Sequence, residues 1–200
     1  MARKEYTAGT VKVLFWFIEY KKFVKLLMAG NTPEVIKKMS EEENVFGASS
    51  QARAKQIYST VSKRIQALDR EFLDIFVKGD LSTQKIITLC SLLETDRLFF
   101  EFVYEVYREK LILGITELAD SDFSIFFKRK QEENSKIAEW KDYTLKKLST
   151  CYIQFLYEAG LIENVKGNKK ILKPLLDIDL ENCLRKYEKE HILRALTGVD

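Results

Sequence analysis

Proline and glycine are scarce in this chain: two and eight residues of 200. So few breakers leave little room for the tight turns of a sandwich or barrel, and the sequence predicts an overwhelmingly α-helical protein. Histidine is scarcer still. His191 is the only one, and it follows Glu188-Lys189-Glu190 in a helical stretch, where a surface position is the expected reading. A Ser-His-Asp or Cys-His arrangement would have to be built on it. The three cysteines, Cys90, Cys151 and Cys183, are far apart and sit in apolar helical surroundings, with no CxxC pair. Neither a disulfide framework nor a structural zinc site is expected, and a reducing cytoplasm fits this usage. Long apolar runs are missing too. Val13 to Ile18 is bounded by Lys12 and Glu19, and the uncharged run Ile86 to Leu93 falls far short of the roughly 18 residues that a membrane span needs. No signal-peptide pattern opens the chain. No Gly-rich phosphate loop and no nuclease or methyltransferase signature occurs. Glu41-Glu42-Glu43 reads as a solvated helix end rather than a metal site. The expectation is a non-enzyme with no metal, cofactor, small-molecule substrate or membrane.

What is present is ordinary globular composition with uneven charge. Hydrophobic residues make up 46%, charged residues 32% and aromatics 12%, the last favouring a helical core filled by rings. Net charge is only +3. Between Lys128 and Lys173, however, eleven cations face six acids. A second excess, Arg53, Lys55, Lys63, Arg64 and Arg70 against Asp69, lies between Val45 and Arg70. The remainder is acidic on balance, so the weak overall charge conceals polarity.

The organising stretch is Ser135 to Pro174. Leu145, Leu148, Tyr152, Phe155, Leu156 and Ala159 recur at helical spacing along one stripe, with Lys146, Lys147, Gln154 and Glu158 opposite. Gly160 stands where a left-handed C-cap belongs, and Leu161-Ile162 can fold back on the last turn. Glu163-Asn164-Val165 and Ile171-Leu172-Lys173 then flank Lys166-Gly167-Asn168-Lys169-Lys170, a basic hairpin. Helix, stop and cationic hairpin make a winged-helix-like end.

Elsewhere the expected helices run from Thr10 to Ala29, from the Thr32-Pro33 start, from a Ser49 or Ser50 cap to Leu68, from Arg70 to Val77, and from Asp80 or Ser82 to Leu93. Asp96 caps the most apolar, Arg97 to about Ile112, which is therefore central. Asp120 or Ser121 begins one ending near Glu133, and Asp179 caps the last, to Leu196. The fold class expected is all-α: a helical bundle with a small C-terminal winged-helix-like β-hairpin. A soft boundary at 112–119 suggests two domains, an N-terminal bundle (1–114) and a C-terminal helical subdomain carrying the hairpin (115–200), or one compact unit.

The candidate function lies in the cations, because lysines and arginines neutralise phosphates and release counterions irrespective of base sequence. The hairpin group is Lys166, Lys169 and Lys170, joined by Lys141, Lys146 and Lys147 on the helix before it. Ser49, Ser50 and Arg53 stand at a helix start, where free N–H groups favour phosphate, and Lys63 and Arg64 extend that face. Lys128, Arg129 and Lys130 form a third group, weakened by Glu132 and Glu133. Each group is weighed against a plain solvated surface. Phe99, Phe100, Phe102, Tyr104 and Tyr107 are read as core rather than as a stacking platform.

Several segments together resemble one family. Tyr6-Thr7-Ala8-Gly9, Glu43-Asn44-Val45-Phe46, Ala52-Arg53 through Arg64-Ile65-Gln66-Ala67-Leu68, and Lys78-Gly79-Asp80 are similar to marks of the BrxA family of bacterial BREX phage-defence systems. So are Phe102-Val103-Tyr104-Glu105-Val106, Trp140-Lys141, Lys146-Lys147-Leu148, and Phe155 through Ile162 with its EAGL ending. The resemblance spans nearly the whole chain in order. It implies a small, mainly helical accessory protein of phage defence that binds double-stranded DNA and works with other BREX components. It supplies no catalytic residues. Members were once labelled inner-membrane proteins, which the hydropathy contradicts. A likeness of fold to helical RNA-binding antitermination factors of the NusB kind leaves RNA as an alternative ligand, and a protein-protein scaffold is the competing class.

Overall fold

The computed structural model describes residues 5–199, so the outermost residues of both expected domains, 1–4 and 200, lie outside it. The chain is helical throughout apart from one small sheet, as its composition predicts. Among the described residues no helix is long and apolar enough to cross a membrane. The chain divides into two compact units between Thr95 and Asp96, not within 112–119. One is Phe15–Thr95; the other joins residues 5–14 to 96–199. The glycine-containing loop at 112–119 is no domain boundary, because the strand inside it belongs to the second unit's sheet.

The Phe15–Thr95 unit holds α1 (Phe17–Met28), α2 (Pro33–Glu42), α3 (Gln51–Gln66), α4 (Arg70–Lys78) and α5 (Leu81–Thr95). α5 contains the long uncharged run, is buried along most of its length, and packs against α1, α3 and α4. Thr88 and Ser91 survive burial there because their hydroxyls donate back to the carbonyls of Gln84 (2.9 Å) and Thr88 (2.6 Å). Local caps behave as their chemistry requires. The Thr32 hydroxyl accepts from the Val35 N–H at 3.4 Å, and the Ser50 hydroxyl from the Arg53 N–H at 3.2 Å. The first helix departs from expectation. A short 3-10 turn, Gly9–Lys12, is separated from α1 by Trp16, whose φ of 55° is left-handed. For a bulky residue this costs about 1–2 kcal/mol, so the surroundings must impose it. They do: Arg64 donates to the Phe15 carbonyl at 2.7 Å, and the Arg53 guanidinium lies 4.7 Å from the Trp16 ring centre.

In the second unit, α6 (Arg97–Phe102), a π-helical segment (Val103–Tyr107) and α7 (Arg108–Ile112) follow one another without a break. The Asp96 carboxylate accepts from the Phe99 N–H at 3.0 Å and from the Thr10 hydroxyl. α8 (Asp120–Glu133), a single turn α9 (Ser135–Ala138) and α10 (Asp142–Ala159) follow. The helix of the organising stretch therefore begins only after Trp140-Lys141, with a separate turn before it. α11 (Ile178–Lys186) and α12 (Glu190–Thr197) replace the single last helix, with Glu188 at a φ of 56° between them. The cap is Asp177, whose carboxylate accepts the Asp179 and Leu180 N–H groups, rather than Asp179 itself. Rings from α6, α8 and α10 fill the core. Phe102 stacks on Phe123 at 4.5 Å, and Tyr152 lies 4.8 Å from Phe99 and 5.7 Å from Phe127.

Charge is also buried here. Lys130, only 5% exposed, donates to Glu101 (2.8 Å) and Glu105 (2.7 Å), with Glu133 at 3.5 Å. Glu101 also accepts from Arg97 (2.8 Å) and the Tyr6 hydroxyl (2.9 Å). Burial alone would push the Glu101 carboxyl up, but its bonds from Lys130, Arg97 and Tyr6 outweigh this and hold it below the ordinary carboxylate range. A lowered acid stabilises the fold fully above its unfolded value and loses that contribution as pH falls through the folded one. Lys130→Ala removes the cation buried between Glu101 and Glu105, which keep Arg97 and Arg129 as partners, and urea unfolding is expected to register a loss of about 2 kcal/mol. Glu101→Gln is expected to flatten the decline in stability below about pH 4.3, the ordinary glutamate value, in melts taken across pH.

Candidate functional site

The small sheet determines how the basic hairpin is presented. β1 (Glu117–Leu118) pairs antiparallel with β2 (Lys169–Lys170), setting Glu117 opposite Lys170 and Leu118 opposite Lys169. On the other side of β2, Ile162 bridges Ile171, the Glu163 N–H donates to the Lys170 carbonyl (2.9 Å), and the Leu172 N–H to Leu161 (2.8 Å). The arms are thus the segments 161–163 and 170–172, shifted from the flanks expected and joined by a single bridge, while β1 is the strand partner of β2. Gly160 closes α10 at a φ of 81°, and the Leu161 N–H reaches back to the Leu156 carbonyl at 2.8 Å. Leu161 and Ile162 fold into the core as their position after the cap suggests.

The projecting loop is ordered from within. Asn164 donates to the carbonyls of Lys166 (2.6 Å) and Asn168 (3.1 Å) and accepts from the Lys170 N–H (3.1 Å). From below, the Tyr107 hydroxyl donates to the Leu172 carbonyl at 2.6 Å, tying the hairpin to the π-helical segment. Lys169, 1% exposed, turns inward, donating to Asp120 and to the Gly167 carbonyl (2.8 Å), with the Phe123 ring 5.9 Å away.

Burial sorts the candidate cations. Arg64, Lys130 and Lys169 are corrected from phosphate contacts to structural groups, because each is buried and satisfied by oxygens of its own unit. Arg53 stacks on Trp16 and donates to Gln56 at 2.8 Å, and the Ser50 hydroxyl is spent on its own helix. Ser49 and Ser50 are both exposed beside these groups. Arg129 pairs with Glu105 and Glu133, and the recess of about 390 Å³ beside it is lined by Tyr104, Glu105, Glu109, Lys130 and Glu133. Lys170 is exposed but lies 2.9 Å from Glu163.

Lys63, Lys128, Lys141, Lys146, Lys147 and Lys166 remain outward. Lys141 precedes α10, Lys146 and Lys147 lie on its first half, and Lys166 is in the projecting loop. The same outer face of α10 carries Gln154, placed there by the sequence, together with Tyr143, Thr150 and Tyr157, which were missed when only charge was followed. Tyr143 and Tyr157 are 66% and 44% exposed, and Lys147 lies 4.5 Å from the Tyr143 ring centre. Their spacing opposite the apolar stripe was the available signal. His191, read as a surface residue, is half-buried with its ring edge-on to Phe100 at 5.3 Å.

If Lys169 and Tyr107 anchor the hairpin, Lys169→Ala and Tyr107→Phe are each expected to speed amide exchange across 161–172 while α10 retains its protection. Hydrogen exchange read by mass spectrometry measures this, and unchanged hairpin protection would refute the anchoring.

Comparison with known proteins agrees with this architecture. A family model described as BrxA matches residues 4–188. A protein of Bacillus cereus (strain H3081.97) described as BREX protein BrxA is 41% identical over 186 residues, 92% of this chain and 93% of the relative. The crystal structure of an uncharacterized protein from Magnetospirillum magneticum matches with a TM-score of 0.82 at 17% identity, covering 98% of this chain and all of that one. At that identity the likeness is one of fold. The family match and the close relative settle the lineage: this chain belongs to the BrxA family.

Proposed function

We propose that this chain is a non-enzymatic, cytoplasmic accessory of a BREX-type phage-defence system, and that it binds double-stranded DNA through a winged-helix module in its second unit. The observation that carries the reading is the order of elements. A helix (97–112), a short strand (β1), a helix (α8), a second helix (α10) and a hairpin follow so that β2 pairs with β1 on one side, and Ile171 next to it bridges Ile162 in the segment leaving α10. In such a module the helix before the hairpin offers its outer face to a groove, while the projecting loop follows the backbone. Here that face carries hydrogen-bonding and cationic side chains, and the loop carries Lys166.

The polar face of α10 and the relative's BREX name support an accessory that grips DNA and works with other BREX components. Lys128, Lys141, Lys146, Lys147 and Lys166 have no carboxylate partner among the described residues, so they keep their charge available to phosphate. Arg129 and Lys170, with exposed ion pairs, can exchange partners at small cost.

Neutralising five phosphates corresponds to a log-log salt slope of about −4.5 for duplex DNA. Fluorescence anisotropy over a range of salt concentrations is expected to show at least that steepness. Reversing Lys146, Lys147 and Lys166 to Glu together is expected to weaken binding more than tenfold at low salt without lowering the melting temperature. A flat salt response removes the electrostatic reading. Preference for single-stranded RNA in competition favours the RNA alternative, and co-purification with a defence component without DNA retention favours the scaffold.

A further inference from the structure

The Phe15–Thr95 unit has a groove that the winged-helix reading does not use. It runs between α2 and α3, has a volume of about 660 Å³, and is lined by Lys37 and Glu41 from α2 and by Lys55, Tyr58, Ser59 and Lys63 among others from α3. Lys37, Lys55 and Lys63 are exposed, and none has a carboxylate partner among the described residues. Against them stands Glu41, leaving the groove net positive. Lys55 and Lys63 lie eight residues apart on one helix, about 12 Å along its axis, with Ser59 between them on the same side. Lys37 faces them from the other helix. This arrangement suits a charged ligand with several anionic groups in a row, not a lone phosphate.

A small apolar ligand is disfavoured, because such sites are lined mainly by hydrophobic and aromatic side chains. The one aromatic here is committed. Tyr58 donates to the Pro33 carbonyl at 2.8 Å and stacks on Phe23 at 5.7 Å. Without a free ring the groove lacks the stacking platform on which single-stranded nucleic acids rely. Its floor is set: Ser62 is buried, and its hydroxyl accepts from Gln66 at 3.0 Å. What it offers is charge and a hydroxyl on a rigid helix pair, the chemistry of a backbone contact that ignores base sequence.

We infer that the α2–α3 groove is a second contact for the phosphate backbone of duplex DNA, made by Lys37, Lys55, Lys63 and Ser59. The choice of duplex as ligand rests on the DNA-binding reading above, but the residues and the unit are separate. Each unit then carries its own contact to duplex, and each adds its own phosphates to the salt dependence.

The test compares four proteins on one duplex by salt-dependent anisotropy: wild type, the groove variant (Lys37→Glu, Lys55→Glu, Lys63→Glu), the hairpin-helix variant (Lys146→Glu, Lys147→Glu, Lys166→Glu), and their combination. The groove variant is expected to bind at least tenfold more weakly at low salt, with a slope shallower by about 2.7, the share of three phosphates. Arginine at the same three positions is expected to preserve binding, which separates lost charge from lost fold. An unchanged slope in the groove variant overturns the inference while leaving the winged-helix reading intact. Loss in the groove variant with wild-type binding in the hairpin-helix variant upholds the groove and sinks the other site. A wild type that does not bind duplex at low salt, or that a single strand of equal length displaces more readily than duplex, overturns the inference.

Discussion

Taking a cation out of water is so costly that a protein interior accepts one only with oxygens waiting for it. That constraint divides the positive charge of this molecule into two populations. Arg64 is held by the Phe15 carbonyl, Lys130 by Glu101 and Glu105, and Lys169 by Asp120 and the Gly167 carbonyl. Each closes a place that apolar packing alone would leave unspecified: the left-handed entry to α1, the junction of α6 with α8, and the foot of the hairpin. The rest stay at the surface, some in exposed ion pairs such as Arg129 with Glu105 and Lys170 with Glu163, and others, such as Lys146, Lys147 and Lys166, with no carboxylate partner among the described residues.

Much of this could be read before the structure, because it is local. Thr32, Ser50 and Asp96 cap helices within three residues of themselves, and Gly160 ends α10 by its own backbone. The rings of α6, α8 and α10 declare themselves by period. Long-range pairing carried no comparable signal. Two residues at 117–118 cannot show a strand period, yet they supply the strand with which the hairpin's second arm pairs. Nor does a run such as Lys128-Arg129-Lys130 reveal which member turns inward. Lys130 is buried only because its position on α8 meets Glu101 and Glu105, two acids set in an otherwise mostly apolar central helix. The anionic half of each buried pair was visible; its address was not.

The route of the chain adds a consequence for folding. Residues 5–14 belong with 96–199, so the Thr10 hydroxyl meets Asp96 across 86 positions of sequence, and Tyr6 meets Glu101 across 95. The Phe15–Thr95 unit is one continuous stretch of chain, whereas the second must close that long loop to seat Tyr6 beneath Arg97, whose guanidinium lies 4.0 Å from the ring centre. Loop closure costs entropy that is returned only once the contacts form, so the N-terminal segment is the natural last piece to dock.

The same division between interior and surface explains how a TM-score of 0.82 coexists with 17% identity. A helical core asks for rings and aliphatic side chains at the right period and at suitable volume, demands that many sequences meet. It does not dictate what stands on the outer face of α10 or along the α2–α3 groove. Lys146 could become glutamate without disturbing Tyr152 beneath it, since one is exposed and the other buried. Outward charge is therefore the feature of this chain least constrained by folding. An excess of unpaired lysines on such faces calls for an explanation in binding rather than in stability.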